Sequence, residues 1–250
     1  MKRWLIAVGS AVAFSALSVP VHLGLLNTFD SVVRERARPE DVWGVAQMRA
    51  DFVVEGLRPA VVAALLAAFT LAYCVVRRSW RPAAFVGSVG LTTALLAVAT
   101  KAAVGRPDPH GLLANDGGSF PSGHTIVLIV CLGLAIQVAL PRAGRSMWLV
   151  PAAGGSLMGA SLLVQAAHWS TDIVGGGLFA TGVLAVTTAS GWSRWSHGWP
   201  KNDLGSTTSL VSESSSLSRI AAVGKKACLD RRTVHLREHW LLRSWPGEMS

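Results

Sequence analysis

Six long stretches of the chain contain no Asp, Glu, Lys or Arg, and this feature limits the fold more than any other. Each stretch is close to the ~20 apolar residues that a helix needs to cross a bilayer. The stretches are Trp4–Leu26, Pro59–Val76, Pro82–Thr100, Gly123–Leu140, Met147–Ala167 and Ile173–Ser190. Only 15% of the 250 residues are charged, whereas soluble domains carry about 25%. The sequence therefore predicts an all-α membrane protein, a bundle of six transmembrane helices.

The first stretch also fits a cleaved signal peptide. It follows the basic residues Lys2 and Arg3, and Ser15–Ser18 offers small residues for cleavage. The apolar run is longer than a usual signal core, however, and an even number of spans requires it. We therefore count it as a transmembrane helix.

The basic residues predict an orientation in the membrane. A formal net charge of +9 would suggest a nucleic-acid partner in a soluble protein. In a membrane protein the position of the charges matters more. Lys and Arg are concentrated in the N-terminus, the second and fourth connections and the tail, whereas the first connection is acid-rich. The positive-inside rule thus predicts cytoplasmic termini. Because the basic residues are explained in this way, we expect no nucleic-acid partner. Without the tail both sides are equally basic, so this orientation depends on the short connections and the acidic first one.

Two segments lie outside the six spans. The connection Asn27–Gly56 has apolar residues at loosely helical spacing. It is either an amphipathic helix on the outer surface that partly covers a site, or a solvated loop. From residue 191 the sequence becomes basic with a Ser/Thr-rich linker. We expect a six-span domain at 1–190 and a largely disordered cytoplasmic tail at 191–250, with a basic amphipathic helix on the inner leaflet as the alternative for the tail.

A short polar segment, Pro121-Ser122-Gly123-His124, leads into the fourth apolar stretch. Pro121 fixes φ, Ser122 can cap the helix, and Gly123 lets the backbone approach a ligand. Backbone N–H groups at a helix start bind anions, and His124 would project beside an anion held there. The segment alone also fits an ordinary capped helix start.

Alternating spans return three separate parts of the chain to one membrane face. Lys101 ends the third span, His124 begins the fourth and His168 follows the fifth. Asp172 lies four residues after His168, so on a continuing helix the two side chains meet. A carboxylate bonded to one ring nitrogen makes the other nitrogen a better nucleophile. We therefore expect the three residues, with Asp172, to gather at the non-cytoplasmic ends of the spans.

Together these residues predict a phosphate site. Lys101 and Arg106 supply positive charge, and the Ser122–Gly123 backbone supplies N–H donors. His168 would attack phosphorus, His124 would protonate the leaving oxygen, and water would later release phosphate from His168. Phosphoryl transfer depends on in-line geometry and charge stabilisation. The sequence has no acidic cluster for Mg²⁺, so we expect neither a metal nor another cofactor.

At these residues the chain resembles the type 2 phosphatidic acid phosphatase (PAP2) superfamily of membrane phosphatases. The resemblance covers roughly Ala83–Gly177, and Lys101, the segment 121–124 and the spacing of His168 and Asp172 match the family's pattern. It implies a six-span helical protein that hydrolyses lipid phosphates or pyrophosphates without a metal, through a phosphohistidine. A polyprenyl (di)phosphate or a glycerolipid phosphate is the implied substrate.

Two positions depart from the family's pattern. The family's Arg-Pro pair falls on Asp108-Pro109, while Arg106-Pro107 stands two residues early, and the Arg of its third motif falls on Leu162. Each lost hydrogen bond to phosphate is worth ~1.5–3 kcal/mol. We expect Arg106 to move into the vacated place with help from His110, and Asp108 to point away from the phosphate.

Two other functions stay open. A catalytically weak relative would bind lipid phosphate headgroups or scaffold a complex, as Leu162 and Asp108 suggest. A transporter would rest on the span count alone, because no paired half-repeats are visible. The excess of Arg over Lys with abundant Ala, Val and Gly is typical of GC-rich bacteria, so we expect a bacterial plasma membrane. No sequence pattern identifies the particular lipid or the oligomeric state.

Overall fold

The structure is a computed structural model that describes residues 2–113, 117–140, 144–192 and residue 196, and the regular elements of these residues are helical. Over these ranges eight α-helices follow one another: α1 Lys2–His22, α2 Asn27–Ala37, α3 Val45–Gly56, α4 Pro59–Arg77, α5 Arg81–Val104, α6 Gly123–Ala139, α7 Leu149–Val164 and α8 Ser170–Ala189. Short 3-10 segments lie at Pro39–Asp41 and Arg145–Trp148. The predicted tail at 191–250 falls outside the described residues, apart from its first two positions and residue 196.

Six of the helices, α1 and α4 to α8, coincide with the six charge-free stretches. Among the described residues, five segments are long and apolar enough to cross a membrane: Arg3–His22, Val45–Arg77, Arg81–Val104, Ser146–Val164 and Ser170–Ala189. The remaining apolar helix, α6, has 17 residues and is therefore about 25 Å long. The all-α membrane class is confirmed, while the count of six spans and the orientation stay predictions.

The core of the bundle surrounds α6. This helix packs against α4, α7 and α8, and α1 packs along α8. Apolar residues of α6 face several neighbours, and Ile126, Leu134 and Val138 have at most 1% of their surface exposed. A helix that is apolar on all sides is stable only when surrounded. By contrast, α1, α4 and α5 expose large apolar side chains such as Leu5, Val75 and Leu91, as expected of surfaces that face lipid.

Small residues let α7 and α8 approach their neighbours closely. A Cβ atom at Gly155 would lie 2.5 Å from Ile129 of α6, and one at Gly159 would lie 2.6 Å from Ile173 of α8. On α8 the same holds for Gly175 and Gly176, whereas a Cβ at Gly177 would meet open space. Two of the three consecutive glycines of α8 are therefore packing positions.

Most of the first connection forms two helices, α2 and α3, so the solvated-loop interpretation is wrong. Its position on the outer surface and its cover of a site stay predictions. α3 packs against α7, and α2 contacts α7 and α8. Gln165, just after α7, donates a hydrogen bond to Asp51 of α3 at 2.8 Å and accepts one on its carbonyl from Arg38 at 2.7 Å. These bonds fix the helical connection to the end of the bundle where α7 ends and α8 begins.

Candidate active site

Several helix ends meet at one end of the bundle. His22, at the end of α1, lies 3.2 Å from the carbonyl oxygen of Val104 at the end of α5. Arg3, at the start of α1, instead reaches the carbonyl of Thr188 near the end of α8. The end of α5 and the starts of α6 and α8 therefore share one end of the bundle, as the alternation of spans predicts.

The structure brings the two predicted histidines together. His124 is the second residue of α6, and His168 lies in the connection between α7 and α8. Their ring centroids are 6.2 Å apart and the ring planes are inclined by 69°. The two residues are 44 positions apart in sequence, so their proximity arises from helix packing.

Asp172 holds the His168 side of this pair. Its carboxylate is fully buried, and its Oδ2 lies 3.4 Å from His168 Nδ1 and accepts the Trp169 N–H at 3.1 Å. His168 precedes α8, which begins at Ser170. The expected contact therefore forms across the helix start instead of within a continuing helix, because Asp172 reaches back to the residues before the first turn.

Lys101 lies beside the start of α6. It occupies the last turn of α5, which Gly105 ends in a left-handed conformation with a φ of 60°. The Lys101 side chain is buried, its Nζ donates to the Gly118 carbonyl at 3.0 Å, and its Cε lies 4.0 Å from where a Cβ of Gly123 would be. An ammonium group thus adjoins the first turn of α6, whose N–H groups point toward the same end.

Arg106 is engaged elsewhere than the sequence predicts. Its NH1 donates to Asp172 Oδ1 at 2.9 Å and to Thr171 Oγ1 at 2.6 Å, and its NH2 donates to Asp30 Oδ2 at 2.7 Å. The guanidinium is buried under the ring of Trp169, 5.1 Å from the ring centroid. Carboxylates thus occupy both terminal nitrogens of Arg106 in this structure, and its phosphate-binding role stays a prediction.

Ser122, a predicted phosphate ligand, is also bonded within the protein. Its backbone N–H donates to the Asp172 carbonyl at 3.0 Å, and its fully buried Oγ accepts from Thr125 at 3.2 Å. Ser122 therefore ties α6 to α8 with the donor that was expected to bind an anion. The first helical bond of α6 runs from Ile126 to Ser122, so Gly123 and His124 still present first-turn N–H groups.

The departures from the family's pattern have clear structural counterparts. Asp108 accepts hydrogen bonds from the N–H groups of His110 and Leu112 at 2.9 and 2.8 Å, so its carboxylate stabilises its own turn. The His110 side chain is exposed. Leu162 is 1% exposed within the apolar core, so a guanidinium at that place would have no polar surroundings.

Asp30 is a member of this region that sequence reasoning missed. It is fully buried in α2, and it accepts hydrogen bonds from Ser170, from the backbone and hydroxyl of Thr171, and from Arg106. Burial alone would raise the pKa of Asp30, but these hydrogen bonds outweigh it and hold the pKa below its usual range. One acid in an acid-rich connection gave no signal, because its partners lie 76 to 141 residues away.

An apolar cavity adjoins the start of α6. It lies between α4, α5 and α6, has a volume of about 300 Å³, and includes Gly123 in its lining together with side chains such as Leu66 and Val127. Within the part of the chain that the structure describes, no group of three or more His, Cys, Asp or Glu side chains is arranged to hold a metal ion. The region therefore combines imidazoles, a Lys and first-turn N–H groups with a neighbouring apolar cavity.

Gly176 of α8 seats the segment before α6, and its replacement provides a test. In Gly176→Ala the added Cβ would lie 2.9 Å from the Ser122 carbonyl oxygen and 3.1 Å from Thr125 Cβ. Because a backbone atom cannot yield cheaply, we expect a loss of about 1–3 kcal/mol in unfolding free energy and displacement of His124. Thermal unfolding in detergent measures the stability. The matched control is Gly177→Ala, whose Cβ meets open space; equal effects of the two changes would contradict this packing.

Known proteins share sequence features and the fold of this chain. Residues 81–196 match the model of the PAP2 superfamily. The fold is similar to that in the "crystal structure of the first transmembrane PAP2 type phosphatidylglycerolphosphate phosphatase from Bacillus subtilis", with a TM-score of 0.62 and 19% sequence identity over 76% of this chain and 96% of that chain. At this identity the likeness concerns the fold. A search among curated proteins gave no sequence match. Region 81–196, which extends from α5 to α8 and contains both histidines, thus matches the PAP2 superfamily in sequence and lies within a fold similar to that of a transmembrane PAP2 type protein.

Proposed function

We propose that this chain is a metal-independent lipid phosphatase that releases phosphate from a polyprenyl (di)phosphate or a glycerolipid phosphate. The single observation that carries the proposal is the 6.2 Å spacing of the His124 and His168 rings beside the start of α6. Reacting atoms approach to about 3–3.5 Å before a bond forms, so two imidazoles that act on the same phosphoryl group must lie within several ångströms of each other. A phosphoryl group fits between these two rings on that scale.

The proposed reaction has two steps. Nε2 of His168 attacks phosphorus while the bond from phosphorus to the lipid oxygen breaks, and His124 donates a proton to that oxygen. Water then attacks the phosphohistidine, gives a proton to His124, and the P–N bond breaks to release phosphate. Asp172 accepts a hydrogen bond from the Nδ1–H of His168 throughout, which leaves the Nε2 lone pair directed at the substrate.

Charge stabilisation comes from Lys101 and from the first turn of α6. Both phosphoryl transfer steps place negative charge on oxygens around phosphorus, and preorganised donors in a dry site stabilise that charge. Lys101 is buried and lies next to Gly123. The N–H groups of Gly123 and His124 add the positive end of the helix dipole.

The neighbouring cavity supports a lipid substrate. It is lined by apolar side chains of α4, α5 and α6 and reaches Gly123, so an apolar chain can lie in it while the phosphate rests at the start of α6. A soluble phosphate ester would gain nothing from that surface. As part of the same proposal we place the site at the outer face of a bacterial plasma membrane with both termini in the cytoplasm, which the distribution of basic residues supports.

A second candidate function is a catalytically weak relative that binds lipid phosphate headgroups. It is favoured by two observations: Leu162 lies in the apolar core, and Arg106 is paired with carboxylates. Of the two cationic side chains that the sequence predicts at the site, Lys101 would then be the main one to contact the phosphate. Turnover distinguishes this candidate from the phosphatase.

The test uses the full-length protein purified in detergent. We expect phosphate release from a polyprenyl diphosphate or from phosphatidate, unchanged by EDTA. If the protein binds these lipids but releases phosphate no faster than the His168→Ala protein, the headgroup-binding candidate is favoured. Loss of the rate in EDTA and its recovery with Mg²⁺ would contradict metal independence.

The role of His124 can be separated from that of His168 by changing the leaving group. In His124→Asn we expect the rate on a lipid phosphate to fall by about 10²–10⁴-fold, since a general acid contributes that much. The p-nitrophenolate group of p-nitrophenyl phosphate leaves without protonation, so the variant's rate on this substrate should fall much less. Steady-state rates on both substrates measure the difference. Equal losses on the two substrates would show that His124 does not protonate the leaving oxygen.

A further inference from the structure

Arg106 lies between two buried carboxylates that are far apart in the sequence. Its NH2 is 2.7 Å from Asp30 Oδ2, and its NH1 is 2.9 Å from Asp172 Oδ1. The Arg106 side chain is 5% exposed and both carboxylates are fully buried. One positive charge is thus shared between two negative charges in surroundings where electrostatic interactions are strong.

The two oxygens of Asp172 have different partners. Oδ1 accepts from Arg106, whereas Oδ2 accepts the N–H of Trp169 and contacts His168 Nδ1. A guanidinium that paired with Asp172 alone would draw more of its negative charge away from the imidazole. Asp30 takes part of the Arg106 charge, and this leaves Asp172 a better acceptor for His168.

Asp30 also fixes the backbone between His168 and Asp172. It accepts hydrogen bonds from the Ser170 hydroxyl, the Thr171 N–H and the Thr171 hydroxyl. These two residues form the start of α8. The carboxylate of α2 therefore determines where α8 begins, and through that the direction in which Asp172 points.

We propose that Asp30 is a positioning residue for His168, acting through Arg106 and through the Ser170–Thr171 start of α8 on the acceptor Asp172. The inference rests on the proposed role of His168 as the nucleophile. It gives the connection 27–56 a part in the chemistry, although Asp30 itself touches neither imidazole in the structure. The substrate class is that of the proposed phosphatase.

The test compares Asp30→Asn with Glu35→Gln. Both changes remove one negative charge from α2, but Glu35 is exposed. The first readout is the rate at which diethyl pyrocarbonate modifies His168, measured by peptide mass spectrometry, with the exposed His110 as the internal reference. The second readout is the separation of kcat from KM on a lipid phosphate.

In Asp30→Asn we expect His168 to react about 10-fold more slowly relative to His110. We also expect kcat to fall by about 10–100-fold with little change in KM. Loss of a residue that orients a metal-bound side chain through a hydrogen bond typically has an effect of this size. Glu35→Gln should match the native protein in both readouts. Native reactivity and native kcat in a folded Asp30→Asn protein would overturn the inference. The inference would also be overturned if the modification rates of His168 and His110 fell in parallel and the melting temperature fell with them, since that pattern indicates a purely structural role.

Two further outcomes are informative. If Asp30→Asn does not fold, Asp30→Glu keeps the charge and moves it by one methylene; a several-fold slower modification of His168 is then expected, and the native rate would overturn the inference. A native protein that releases no phosphate would contradict the proposed function. The modification rates of His168 would still decide the role of Asp30, because they need no substrate.

Discussion

His168→Ala is expected to lower phosphate release by about 10³-fold or more, because the proposed reaction loses the nucleophile that would form its covalent intermediate. His168 is 12% exposed at the site and its Nδ1 faces Asp172, so the truncation leaves the helices on either side in place. The measurement is the steady-state rate of phosphate release from a lipid phosphate in detergent. A labelled phosphoryl group should also be trapped on the native protein and not on the variant.

The matched control is His110→Ala. His110 is exposed in the loop after α5, and its side chain has no part in the proposed reaction, so this variant should keep the native rate. The trapped group should be lost in acid and stable in base, as a P–N bond requires. Retention of the native rate in His168→Ala would refute the phosphohistidine mechanism.

Arg106→Ala is expected to destabilise the protein by about 3–5 kcal/mol, the cost of leaving buried charges without their partner. Removal of this guanidinium leaves Asp30 and Asp172 facing each other with no exposed surface. The two negative charges then repel each other, and neither carboxylate can reach water. The free energy of unfolding in mixed detergent and denaturant measures the effect.

Arg58→Ala serves as the control for this change. Arg58 pairs with Glu55 at 3.4 Å, but both side chains are more than half exposed, and such surface pairs contribute about 0–1 kcal/mol. The expectation from sequence alone was that Arg106 binds phosphate. A raised KM at native stability in Arg106→Ala would restore that expectation and contradict the buried network.

Much of the site could be predicted because the span pattern carries long-range information. Each charge-free stretch reverses the chain, so Lys101, His124 and His168 had to return to one end of the bundle whatever the details of packing. The structure shows this for the two histidines, with rings 6.2 Å apart. The contact of His168 with Asp172 followed from their spacing, although the helix begins between them.

The partners of Arg106 and Ser122 could not be predicted in the same way. Both residues were assigned from their local positions near a helix start and a Lys. In the folded chain Arg106 meets a carboxylate from α2, and the Ser122 N–H meets the Asp172 carbonyl. A buried donor binds whichever acceptor packing brings to it, and sequence spacing carries no information about an acceptor 50 to 80 residues away.

The sequence by itself determined the membrane environment, the helical class and the end of the bundle at which the imidazoles gather. The physical reason is that an apolar stretch in lipid must satisfy its backbone hydrogen bonds internally, so each stretch can form only a helix that crosses or lies in the bilayer. Only the tertiary structure decided which charges neutralise one another. Asp30, Arg106 and Asp172 come from three separate segments and form one buried network, because the packing of α2 against the start of α8 excludes the water that would otherwise solvate them separately.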